Sequence, residues 1–232
     1  MSNLIWKNID SKNIPGLIIT ELPPITKAKI RTNIVEIDGR DGDIVEELGY
    51  ESYIKSVSVG LTNDYNIDQI VKYFTGSGDL ILSNEPDKIY KCKIVNQVDY
   101  ERLLKFKTAT VKFHTQPFKY LYNEALYELL VNEEIELEVL NRGLEKSKPL
   151  IKLYGSGIIN LYINGNQVLS YTFPTDDSEV TIDSVEENAY KDGVYKNNNM
   201  IGSFPILEPG VNAISWSGSL TMIVVEPKSR WI

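Results

Sequence analysis

Gly78-Asp79-Leu80-Ile81-Leu82-Ser83-Asn84-Glu85-Pro86-Asp87-Lys88-Ile89-Tyr90-Lys91-Cys92-Lys93-Ile94-Val95 reads as a strand, a turn over Ser83–Lys88, and a second, longer strand. Asn, Pro and Asp in the middle are turn formers, while the flanks are rich in Leu, Ile, Tyr and Val. Asp99-Tyr100-Glu101-Arg102-Leu103-Leu104-Lys105-Phe106 follows as a bend. Val111-Lys112-Phe113-His114-Thr115-Gln116-Pro117-Phe118-Lys119-Tyr120 follows as a third strand. Nothing in this stretch has the make-up of an active site.

Outward from it, turn signals and short alternating segments dominate, which predicts a mainly β protein. Ile14–Pro24 reads as an early strand and Lys29–Ile37 as another. The latter meets Asp38-Gly39-Arg40-Asp41-Gly42, a hairpin turn by its Asp-Gly pairs. Ser52–Leu61 alternates cleanly and is expected to be half-buried. One helix stands out. Ile67, Ile70, Val71 and Phe74 fall at i, i+3, i+4 and i+7, Asn66 can cap the start, and Gly76 lies where a helix ends. It is expected to cover one face of the sheet.

The pattern changes over 119–130, which places a junction there. The expected domains are 1–124 and 125–232. In the second, Glu134–Val139 puts acids on one face and aliphatics on the other. Strands are expected at 149–154, 158–163, 167–173, 179–182, 189–191, 212–216 and 220–225. Asn164-Gly165 and Ser217-Gly218 are read as hairpin turns. That spacing of short strands argues a β-sandwich.

With 232 residues, 42% hydrophobic and 24% charged, the chain can bury a sizeable core in each half. No run of about 18 apolar residues predicts a membrane span, and no secretory signal is expected. The single cysteine, Cys92, allows no intrachain disulfide. Residues 1–119 hold 16 basic and 16 acidic residues, and residues 120–232 hold 8 and 16, so the whole net charge of -8 sits in the second half. No clustered basic face marks a grip on nucleic acid.

These motifs, in this order, resemble the ring-forming half of the distal tail proteins of long-tailed bacteriophages. The turn Ser83–Lys88, Glu101-Arg102-Leu103-Leu104 and Gln116-Pro117-Phe118 carry the likeness. In the second half, Lys148–Gly157, Ile163-Asn164-Gly165, Tyr190-Lys191, Asn198-Asn199-Met200, Phe204–Gly210, Asn212–Gly218 and Pro227–Trp231 resemble the family's galectin-like carboxy-terminal domain. The resemblance implies a β-rich α+β ring domain with one covering helix, followed by a galectin-like β-sandwich. It also implies a structural protein of the virion tail tip or baseplate, made in the bacterial cytoplasm. Its copies would form a hexameric ring between the tail tube protein and the tail-associated hub protein, with receptor-binding proteins attached around it. No membrane, cofactor, metal or catalytic role is implied.

His114 is the only histidine, and no nucleophile or orienting partner accompanies it in sequence. Cys92 alternates with Tyr90 and Ile94 and is expected in the core. Asp38–Asp43 fails the calcium-loop pattern because Arg40 and Gly42 occupy ligand positions. Glu133, Glu134, Glu136 and Glu138 form an acidic patch, read as a solvated strand face. Fourteen Tyr and three Trp could build a sugar platform. That gives the alternative function, a carbohydrate-binding adhesion module for host wall polysaccharide. Core packing is the expected use of these rings, Trp216 first among them, so no sugar binding by the second half is expected.

Overall fold

A computed structural model describes residues 2–232 except 97, 99 and 133–135, with Arg102 as backbone only. The chain divides into two compact units, Met1–Tyr122 with Ile232, and Asn123–Trp231. Antiparallel strands dominate both.

The first unit contains β1 (Leu4–Trp6), β2 (Ile9–Asp10), β3 (Leu17–Glu21), β4 (Ile30–Glu36), β5 (Asp43–Tyr50) and β6 (Tyr53–Leu61). Helix α1 (Ile67–Tyr73), β7 (Ser77–Leu82), β8 (Glu85–Ile94), helix α2 (Tyr100–Phe106) and β9 (Thr108–Leu121) complete it. Its sheet runs β2-β1-β7-β8-β9-β6-β3. The stretch that opened the sequence reading forms its centre. Leu82 pairs with Glu85, so the β7–β8 turn is only Ser83-Asn84, tighter than the motif suggested. Alternation sends Val57, Val59, Leu80, Leu82, Tyr90, Cys92, Val111 and Phe113 into one core, where Trp6 packs edge-on against Phe113 with ring centres 5.1 Å apart.

Helix α1 starts where Asn66 accepts a hydrogen bond from the Gln69 backbone N–H at 3.1 Å. Ile70 and Phe74 are buried as expected, but Val71 faces outward and Tyr73 takes the inward place instead. The seven-residue helix turns through only two turns, and its inward stripe follows the i, i+3, i+4 set Ile70, Tyr73, Phe74. The segment read as a bend is a second helix, α2, whose Leu103 is fully buried in the same core. Two helices, not one, therefore pack on this sheet; Asp99 of that motif lies outside the described residues.

The second unit contains β10 (Tyr127–Leu130), β11 (Glu136–Asn141), β12 (Leu150–Ile163), β13 (Asn166–Thr172), β14 (Glu179–Asp183), β15 (Asn188–Lys191), β16 (Val194–Tyr195), β17 (Met200–Gly202) and β18 (Gly210–Glu226). Its frame is the pair β12 and β18, of 14 and 17 residues, matched from Leu150↔Glu226 to Ile163↔Ile214. One half of the pair continues into β10 and β14-β15-β16, and the other half into β11 and β13-β17. The sheet thus curls on itself, and both halves bury Ile151, Leu161, Tyr171, Ile182, Ile214 and Ile223 in one core.

This corrects the reading of Ser217-Gly218 as a hairpin. The residues lie inside β18, and 149–154 and 158–163 are likewise one strand. The glycines there serve close approach rather than reversal. A Cβ on Gly218 would stand 2.1 Å from the Ile158 carbonyl oxygen, and one on Gly155 would stand 2.5 Å from the Ser219 carbonyl oxygen. Gly218 also has φ of 103°. Here the register of β12 against β18 shifts and both strands bend together. Asn164-Gly165 is the true hairpin turn, with φ of 52° and 79° joining β12 to β13.

Candidate interaction surface

The most exposed regular structure is the hairpin of β4 and β5. Among the described residues it pairs with no other strand. Ile34 stands opposite Val45, and Val35 opposite Ile44. Successive pairs face opposite sides, so both faces carry aliphatics. Ile34 and Val45 are each 56% exposed, and Ile37 and Leu48 are also open to solvent. The expected Asp38–Gly42 turn forms the tip, closed by a hydrogen bond from the Arg40 N–H to the Ile37 carbonyl at 3.1 Å. At the base, the Tyr50 ring meets Phe118 edge-on at 5.6 Å. A two-stranded hairpin is marginal alone in water, and aliphatics on both of its faces ask for cover.

A groove lies between α1 and the β1–β2 hairpin. Its volume is about 490 Å³, and Trp6, Ile9, Ile14 and Tyr73 make its apolar walls. Gln69, Thr75, Lys7 and Lys72 complete the lining, so none of its lining side chains is acidic. The Lys7 stem runs over Gly78, where a Cβ would come within 2.5 Å of it. Its ammonium donates to the Thr75 carbonyl at 3.1 Å, which fixes one positive charge at the rim.

Further along the inward sheet face the core turns polar. Lys55 is 1% exposed, with its Nζ 3.3 Å from the Pro24 carbonyl and 4.6 Å from the centre of the Tyr90 ring. Glu85 accepts hydrogen bonds from Lys119 at 2.6 Å and from the Tyr90 hydroxyl. Burial holds Lys55 below the ordinary lysine pKa, opposed by the Glu85 charge and assisted by that of Lys119. Burial also pushes the Tyr53 hydroxyl up to about 12. These groups satisfy one another rather than converging on open space, which suits a structural role.

Cys92 sits in the core, as its alternation predicts, with its sulfur 3.4 Å from the Thr115 hydroxyl. Burial pushes its thiol up to about 12. The folded state therefore favours the protonated form, and that preference is lost only as pH climbs through the folded value. Iodoacetamide at pH 8 is expected to leave Cys92 unlabelled in the native chain and to label it fully in denaturant; rapid native labelling would contradict the buried placement. His114 is half-exposed on β9, with its Nε2 2.9 Å from the Ser52 hydroxyl. Among the described residues no group of three or more His, Cys, Asp or Glu is placed to hold a metal. Glu136 and Glu138 point outward from β11, while Glu133 and Glu134 lie outside the described residues. Trp216 packs on the second core but is only half-buried.

The second unit carries a cleft that no motif of the sequence marks. Register aligns Asp183 with Asn188, and Tyr190 with Tyr195, across β14, β15 and β16. With Glu186 and Gly193 these residues line a cleft of about 290 Å³. Tyr195 is 70% exposed. One Asp183 oxygen accepts from the Val185 and Glu186 backbone N–H groups at 2.8 and 3.0 Å, which holds the loop in place. The sequence signal was the alternation of Asn188 and Tyr190 opposite Ala189, a core residue.

The SPP1 Dit (gp 19.1) protein, described as a paradigm of the hub adsorption apparatus in phages infecting Gram-positive bacteria, matches with a TM-score of 0.69. The match spans 97% of this chain and 98% of that one, at 14% identity. The chain has the Dit fold. A chain of the phage P2 baseplate, solved in its activated conformation with Ca, matches over the same shares with a TM-score of 0.51 and 11% identity. What is shared at these identities is the fold, over 97% of this chain. No family model and no curated relative matches the sequence. No helix among the described residues is long and apolar enough to cross a membrane.

Proposed function

We propose that this chain is a structural subunit of a phage tail tip, whose copies close into a ring, six-fold in number, between the tail tube and the hub. The observation that carries the reading is the Dit fold over 97% of the chain. The unpaired β4–β5 hairpin supports self-assembly, because its two aliphatic faces are left uncovered in the single protomer. The domain of residues 1–124 forms the ring. Residues 125–232 form the galectin-like sandwich, and the ring serves as an attachment platform for receptor-binding proteins. The work is assembly and transfer of force, with no reaction catalysed, in the virion or a tail-like particle. Native mass spectrometry of the full chain over a rising concentration series is expected to show discrete oligomers that end at a closed number. A chain that stays monomeric at every concentration, alone and with its tube partner, would contradict the ring.

A second reading, an adhesion module for wall polysaccharide, is favoured by the Tyr190–Tyr195 cleft alone. Aromatic faces beside carboxylates that accept hydroxyl hydrogens suit a sugar ring. Calorimetric titration with host wall polysaccharide tests it. No heat is expected if the cleft is only surface relief, and binding abolished by Tyr195→Ala in a folded chain would place adhesion first.

A further inference from the structure

We infer that the β4–β5 hairpin of one protomer docks, tip first, into the α1–β1 groove of the next. The inference rests on the ring reading and names the contact that would close it. Three observations on the first unit carry it. The hairpin tip, residues 36–47, holds six acidic residues and one basic, interleaved with exposed Ile37, Ile44 and Val45. The groove has the complementary make-up, with apolar walls of Trp6, Ile9, Ile14 and Tyr73 and two ammonium groups at Lys7 and Lys72. The groove stands open in the protomer that owns it, so that protomer's own hairpin does not fill it.

The geometry suits such a contact. Seven or eight strand residues span roughly 25 Å, and nearly all of them are exposed to solvent. A hairpin on one copy entering a groove on another joins two unlike surfaces, and head-to-tail contacts of that kind make a ring where the rotation between copies closes. Ile37 meets the apolar walls, while Asp38 and Asp41 meet Lys7 and Lys72. Acid against base fixes the register and speeds encounter; the aliphatics supply the burial.

Charge reversal in the full chain tests the contact. Lys72 is exposed, so Lys72→Glu is expected to keep its melting temperature while weakening self-association roughly tenfold or more. Adding Asp38→Lys and Asp41→Lys to that variant is expected to restore association. Ile37→Cys combined with Ile9→Cys is expected to give covalent ladders on oxidation, with buried Cys92 taking no part. Wild type that associates while Lys72→Glu associates equally well, with no ladders, overturns the contact and leaves the ring standing. Wild type that never associates overturns both. Ladders formed only with a co-expressed tail protein assign the groove to that partner and overturn the contact between copies.

Discussion

Truncating Phe74 to alanine is expected to cost the first unit about 3–5 kcal/mol, the usual loss for a fully buried phenylalanine. Phe74 is 3% exposed, caps the end of α1, and meets Tyr73 edge-on with ring centres 4.8 Å apart. Its removal opens a void where the helix joins the sheet and frees Tyr73, whose hydroxyl donates to the Ile9 carbonyl at 3.0 Å. The groove wall would loosen with it, so assembly is expected to fail along with stability. Thermal unfolding followed by circular dichroism reads the effect. An unchanged first transition would show that α1 does not pack as described.

Neutralising Glu85 is expected to have a loss of similar size. Glu85→Gln leaves Lys119 and Lys55 as neighbouring ammonium groups in a nearly closed space, and a buried charge stripped of its partner typically costs about 3–5 kcal/mol. The pH dependence follows from the direction of the Lys55 shift. Its folded pKa lies below the unfolded one, so the unfolded chain binds more protons and stability from this group rises with pH toward the ordinary lysine range. The Glu85→Gln variant is therefore expected to be least stable, relative to wild type, at neutral pH and to recover part of the loss above it. Denaturant unfolding at pH 7 and pH 9.5 measures this. A loss that does not change with pH would place the damage in packing rather than charge.

Local chemistry made much of this fold legible. The β7–β8 turn, the Asp-Gly tip of the β4–β5 hairpin, the Asn66 cap and the Asn164-Gly165 hairpin each use residues suited to one conformation. The errors came where one residue type serves two purposes. Gly218 has the look of a turn glycine, yet it lets two backbones pass, and only the Ile158 carbonyl opposite reveals that. Helix α2 is seven residues long, too short for periodicity to separate it from a bend. Lys55 shares the parity of Val57 and Val59 and lies inward with them, a burial not expected of a lysine; the ring of Tyr90 and the carboxylate of Glu85 that make it tolerable come from a different hairpin. The interaction surface was half legible. Ile34 and Val35 are adjacent aliphatics that break the alternation, which marks a strand with two apolar faces. That nothing among the described residues covers them is a property of the fold alone.

Electron cryomicroscopy of assembled particles that carry this chain tests its role most directly. A closed ring of its copies at the junction of tail tube and tip, with residues 1–124 forming the ring, is the expected image. Single copies scattered on the particle, or a ring built wholly of another protein, would contradict it.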